Sequence, residues 1–146
     1  MEFALLLPLL LILLLGAWEG GRMIQITQIV DNAAREGGRQ AATGQHTNDE
    51  VKIAVCQYLK DGGLPDYTST RDSVVTVTDV TAPGTDAKDA TQGDQLRVTV
   101  TIPFGDVKWT TLRLIAGQNT SLNGEAVWCS AKDEDYPTNV TPPDGF

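Results

Sequence analysis

An uninterrupted apolar run, Phe3 to Trp18, contains no charged residue and consists largely of leucine. At 1.5 Å per residue this run of about 16 residues would make a helix of about 24 Å, a little short of the ~20 residues that cross a bilayer. The next segment extends it. After Gly21 the apolar residues Met23, Ile24, Ile26, Ile29, Val30, Ala33 and Ala34 recur at helical spacing with polar residues between them. The run therefore passes without a break into an amphipathic helix. Pro8 is compatible with a membrane helix, since local adjustments satisfy the carbonyl it frees, and it predicts a kink.

A cleaved export signal fits this segment poorly. Such a peptide carries Lys or Arg before the apolar run and a small-residue site after it, whereas Glu2 precedes this run and Gly16-Ala-Trp-Glu19 closes it. Gly16 and Gly20 form a small-xxx-small pair, offset by Ala17 and Gly21, on which a second helix could pack closely. Glu19 and Arg22, one turn apart, are expected to pair at the membrane edge. Applied to Arg22, Arg35 and Arg39 alone, the positive-inside rule would put the domain after the helix in the cytoplasm. A short basic leader upstream of Met1 would supply the missing cytoplasmic charge and reverse that orientation.

The rest of the chain is acidic. The 146 residues carry a formal net charge of −8, with acid concentrated after Gly44, so phosphate-rich partners are repelled and nucleic-acid binding is not expected. Two cysteines without CxxC spacing and a single histidine supply too few ligands for a zinc site. In an oxidising compartment, Cys56 and Cys129 could close a disulfide loop of about 70 residues. Two unbridged buried thiols fit the sequence equally.

Thr47-Asn-Asp-Glu50 reads as a capping box that opens a second helix, with Val51, Ala54, Val55, Tyr58 and Leu59 on one face and Gly62-Gly63 at its end. Cys56 sits beside that face and reads as core. Strands are predicted at Ser73–Val80, Leu96–Ile102 and Gly124–Ala131 from β-branched content and alternation. Between the first two, Ala82–Asp94 reads as a long mobile connection, and its Asp86, Asp89 and Asp94 lack an EF-hand pattern. Trp109–Ala116 reads as a short helix or amphipathic turn, and the proline-rich tail from Tyr136 as loose.

Together these give an α+β chain: a transmembrane and stalk helix over 1–44, a head over 45–135 with a second helix packed on a three-stranded antiparallel sheet, and a tail over 136–146. No catalytic residue, cofactor or metal is expected. His46 stands in a loop without a companion nucleophile, and Asp133-Glu134-Asp135 reads as a solvated acidic run.

Three strings in this order, Glu2-Phe-Ala-Leu-Leu-Leu-Pro-Leu-Leu-Leu11, Gly16-Ala-Trp-Glu-Gly-Gly-Arg22 and Asn32-Ala-Ala-Arg-Glu-Gly-Gly-Arg39, closely resemble TadE-like pseudopilins of the tight-adherence (Flp) pilus system. The resemblance covers about the first 44 residues. It implies a minor pilin or assembly factor in the bacterial inner membrane, with its head on the periplasmic side. Its implied partners are other pilin-like subunits, the Tad platform proteins, membrane lipid and a prepilin peptidase that removes an upstream leader. By the same resemblance Glu2 is the glutamate near the mature N-terminus that sets helix register. A carboxylate is costly in lipid unless it meets a cation, and a free N-terminal amine could supply one. Arg35 and Arg39, four apart, carry like charge on one helix face, and Gly37-Gly38 reads as a weak point there. The alternative function is a single-pass, membrane-tethered binding module unrelated to pili.

Overall fold

The structure, a computed structural model, describes residues 2–107 and 120–132. The expected helix or turn at Trp109–Ala116 and the loose tail from Tyr136 lie outside the described residues.

Helix α1 spans Glu2–Ala42 and runs on through Pro8. Its two halves meet different surroundings. From Leu6 to Leu15 every side chain is exposed, as is Trp18. From Ile26 onward a stripe of Ile26, Val30, Ala33, Ala34, Gly37, Gly38, Ala41 and Ala42 is buried. The spacing of three and four residues in that stripe is one helix face.

This face lies on a three-stranded antiparallel sheet in the order β1 (Val75–Asp79), β2 (Gln95–Pro103), β3 (Ser121–Cys129). Register places Val75 beside Val100 and Val100 beside Gly124, and Val77 beside Val98 and Val98 beside Ala126. Because successive side chains alternate across a strand, one face collects Val75, Val77, Leu96, Val98, Val100, Ile102, Leu122 and Ala126, the sheet's share of the core. The opposite face is mostly polar and rich in threonine, with Thr76, Thr78, Arg97, Thr99, Thr101 and Glu125 beside the exposed Val127. Arg97 and Glu125 are 3.2 Å apart there.

Helix α2 (Asn48–Asp61) packs beside α1 on the apolar face. Its expected capping box is present: Thr47 Oγ1 accepts from Glu50 N–H, and Thr47 N–H donates to Glu50 Oε2 at 2.8 Å. At its other end Gly63 N–H donates to Lys60 O and Leu64 N–H to Leu59 O, at 3.0 and 3.1 Å, with Gly63 at φ +84°. That pattern closes the last turn in the left-handed conformation glycine adopts freely. The buried residues are Val51, Val55, Cys56 and Leu59. Cys56 is core as expected, whereas Tyr58, which spacing placed on the apolar face, is 39% exposed.

Three other expectations are corrected. The first strand begins at Val75 because Arg71–Val74 forms a helical turn, α3, which Ser73 Oγ supports by donating to Thr70 O at 2.7 Å. It ends where the buried Asp79 accepts the N–H groups of Thr81 and Ala82, each at 2.8 Å. The connection from β1 to β2 is pinned. Asp86 Oδ1 accepts from Asn48 N–H at 3.0 Å, Asn48 Oδ1 accepts from Ala87 N–H at 3.1 Å, and Ala87 and Ala90 are fully buried. Gly37-Gly38 is a packing site. A β-carbon on Gly37 would lie 2.5 Å from Val55 Cγ2 and 3.1 Å from Val98 Cγ1, and one on Gly38 would overlap the Trp128 indole. Only glycine lets α1 settle this low on α2 and the sheet.

Candidate functional site

The exposed half of α1 is the surface that the head does not use. A soluble domain rarely leaves so large an apolar area in water, and such a surface marks contact with lipid or another chain. The helix is long and apolar enough to cross a membrane, and its most apolar window has none of its residues buried. Trp18, 68% exposed, stands at the end of the leucine run nearest the head, where an amphipathic ring suits a membrane–water boundary.

Glu2 is the first described residue of the helix; the role given to its carboxylate depends on atoms outside the described side chains. Gly16 and Gly20 are both half-buried, and three residues further the same edge reaches Met23, which packs against the core. Ala17 and Gly21 take the other edge, toward the exposed Gln25. They line a groove with Trp18, Arg22 and Gln25. Around Gly21 a β-carbon would meet nothing within 4 Å, so this edge is open to an approaching group. The offset pair Ala17 and Gly21, rather than Gly16 and Gly20, is therefore the edge facing a groove.

The expected Glu19–Arg22 pair does not form. Arg22 Nη1 donates instead to Gln25 Oε1 at 3.3 Å. Glu19, seven residues before Ile26, continues the face that meets the head and is 9% exposed. Among the described residues its Oε2 and the Nε of Arg22 have no hydrogen-bond partner. Further up the helix, Arg39 pairs with Glu36 at 2.6 Å, while Arg35 stays exposed.

The two thiols are not brought together. Cys56 is buried on α2, whereas Cys129 is exposed, its register with Gln95 placing it on the polar sheet face. Both are free thiols in this structure. Burial pushes the Cys56 thiol up from its ordinary value, which disfavours the reactive thiolate.

Two lysines of the head pair with acidic neighbours. Lys60 Nζ lies 2.8 Å from Asp66 Oδ2 and Lys52 Nζ 2.8 Å from Asp72 Oδ1. These ammonium groups hold both carboxyls below the usual carboxylate range. His46 Nδ1 lies 3.9 Å from Glu50 Oε2. Burial pushes the Tyr67 phenol up to about 12, and its hydroxyl has no partner among the described residues.

Residues 1–39 match the family model described as TadE-like protein. Neither a curated protein nor a solved structure matches the chain. The matched stretch takes in the exposed leucine run, the groove residues Ala17 to Gln25, and Gly37 and Gly38 where the helix seats on the head.

Proposed function

We propose that this chain, TadE-like over its first 39 residues, acts as a non-enzymatic minor pilin or assembly factor of a Tad-type pilus or secretion system. It is anchored in the bacterial inner membrane by a single helix, with the head on the periplasmic side. The observation that carries this reading is that the matched stretch, nearly the whole of α1, includes the half whose apolar side chains from Leu6 to Leu15 are all exposed. In the proposed role Glu2 sets the register of the helix against neighbouring subunits, and small residues at Gly16 and Gly20 permit close helix packing. The partners are other pilin-like subunits and the assembly platform, with a prepilin peptidase acting on an upstream leader.

Glu2→Ala at the native locus tests the role. Sheared surface pili, measured by immunoblot of the pilin, should fall sharply while the variant accumulates in the membrane with a folded head; undiminished piliation would refute the registration role. A second reading, a tethered binding module independent of pili, draws support from the polar sheet face, where Thr76, Thr78 and Thr99 are at least partly exposed. Genes for a secretion ATPase, platform proteins and a prepilin peptidase beside this one favour the pilus role. Their absence favours the module.

A further inference from the structure

We propose that the groove lined, among the described residues, by Ala17, Trp18, Gly21, Arg22 and Gln25 binds the phosphate of an anionic phospholipid headgroup, with Arg22 as its anchor. The inference rests on the membrane-anchor role proposed for α1 and gives that anchor a lipid preference.

Three observations converge on Arg22. The first is its level. From Glu2 to Arg22 the helix rises about 30 Å, the thickness of the hydrocarbon core. A span that begins at one boundary therefore brings Arg22 to the headgroups of the other, one turn above the exposed Trp18.

The second is its unused hydrogen-bonding capacity. Arg39, Lys52, Lys60, Arg71 and Arg97 each have a carboxylate within 4 Å. Among the described residues Arg22 has none, as is also true of Arg35, Lys88 and Lys132. Arg22 makes one side-chain hydrogen bond, 3.3 Å long, to the neutral Gln25, and its Nε is shielded from water without a partner. A guanidinium offers a planar fork of donors that matches a phosphate in two parallel bonds.

The third is the shape beside it. Ala17 and Gly21 leave the helix surface open next to the guanidinium, and Trp18 gives an apolar wall along which an acyl chain can run. Gln25 supplies an amide donor once its contact with Arg22 yields to phosphate. Glu19, the acid nearest in sequence, lies on the face of Ile26 and does not line the groove.

The full chain, reconstituted into nanodiscs of equal parts phosphatidylcholine and phosphatidylglycerol and released for native mass spectrometry, reports which lipid it retains. Phosphatidylglycerol should be retained in preference. Arg22→Gln should reduce that retention about tenfold or more, the worth of one charge-assisted contact. Arg35→Gln, about 20 Å further along the same helix, should leave it unchanged. Equal retention by Arg22→Gln, or no preference in the wild type, overturns the site. So does efficient crosslinking of Ala17→Cys between two copies in the native membrane, which would show a protein helix filling the groove. Release of the wild type from membranes by alkaline carbonate would overturn the anchor role itself, and is distinguishable from an anchored protein that shows no lipid preference.

Discussion

Gly124 of β3 lies against the backbone of Val30 in α1, so close that a β-carbon there would stand 2.8 Å from the Val30 carbonyl oxygen. With Gly37 and Gly38 on the helix, this glycine fixes how deeply α1 sits on the sheet, and hence how the exposed half of the helix is held relative to the head.

Gly124→Ala should destabilise the head by about 2 to 3 kcal/mol, because the obstruction is main chain and cannot swing aside. Gly38→Ala meets the flexible Trp128 side chain, which is 41% exposed and can turn outward, so its cost should be smaller. Thermal melts of the full chain in detergent check the order; equal melting temperatures for Gly124→Ala and wild type would contradict the close seat of α1.

Thr47→Ala removes the side chain that accepts Glu50 N–H and should cost about 1 kcal/mol. Thr47→Ser should restore most of it. Chemical unfolding curves of the three proteins decide the matter, and a loss that serine does not rescue would point away from capping.

Tyr67 links stability to high pH. Its phenol is pushed up to about 12 by burial, above an unfolded value of about 10, so the folded chain holds the proton more tightly. That contribution is intact below about pH 10 and is lost as pH rises from there through about 12. Tyr67→Phe should remove this component of the alkaline loss. At neutral pH it should be harmless or slightly stabilising, since the hydroxyl has no partner among the described residues. A marked neutral-pH loss in Tyr67→Phe would reveal a hydrogen bond to that hydroxyl.

Asp66 and Asp72 act at the other end of the scale. Hydrogen bonds from Lys60 and Lys52 lower both carboxyls, so their contribution is present above about pH 4 and fades as acid protonates the folded form. Unfolding midpoints of Lys60→Met and wild type should converge in acid and differ only slightly at pH 7, because the pair is exposed and screened. A large difference that persists in acid would place the effect of Lys60 in packing.

Thiol titration separates the cysteines. The reduced native chain should react with a thiol reagent at exposed Cys129 and resist at buried Cys56, and both should react after unfolding in guanidinium. Protection of Cys129 in the native chain would contradict the open sheet face.

Local signals were legible in the sequence and distant ones were not. The long helix follows from apolar spacing, α2 from Thr47, Glu50 and Gly63, and β2 from alternation, each written within a few neighbouring residues. The pinning of the connection between β1 and β2 joins Asp86 to Asn48 across 38 positions, so composition alone made that segment look free. Gly37-Gly38 looked weak because helix propensity penalises glycine; its value lies in Val55, Val98 and Trp128, which come near only on folding. At the candidate site, periodicity drew attention to Gly16 and Gly20 and suggested a Glu19–Arg22 pair. The turn of Glu19 toward the head and of Arg22 toward the groove depends on where the sheet lies, which no local pattern states.

The central claim, that the leucine run is the anchor of a processed pilin-like subunit, is tested most directly by the mature N-terminus. Expressed from the native locus with its upstream region intact, the protein should be identified by mass spectrometry in membrane and sheared-surface fractions. The expected terminus lies shortly before Glu2 and appears only when the prepilin peptidase is present. An unprocessed terminus in cells holding that peptidase, or cleavage near Ala17 with release of the head, would contradict it.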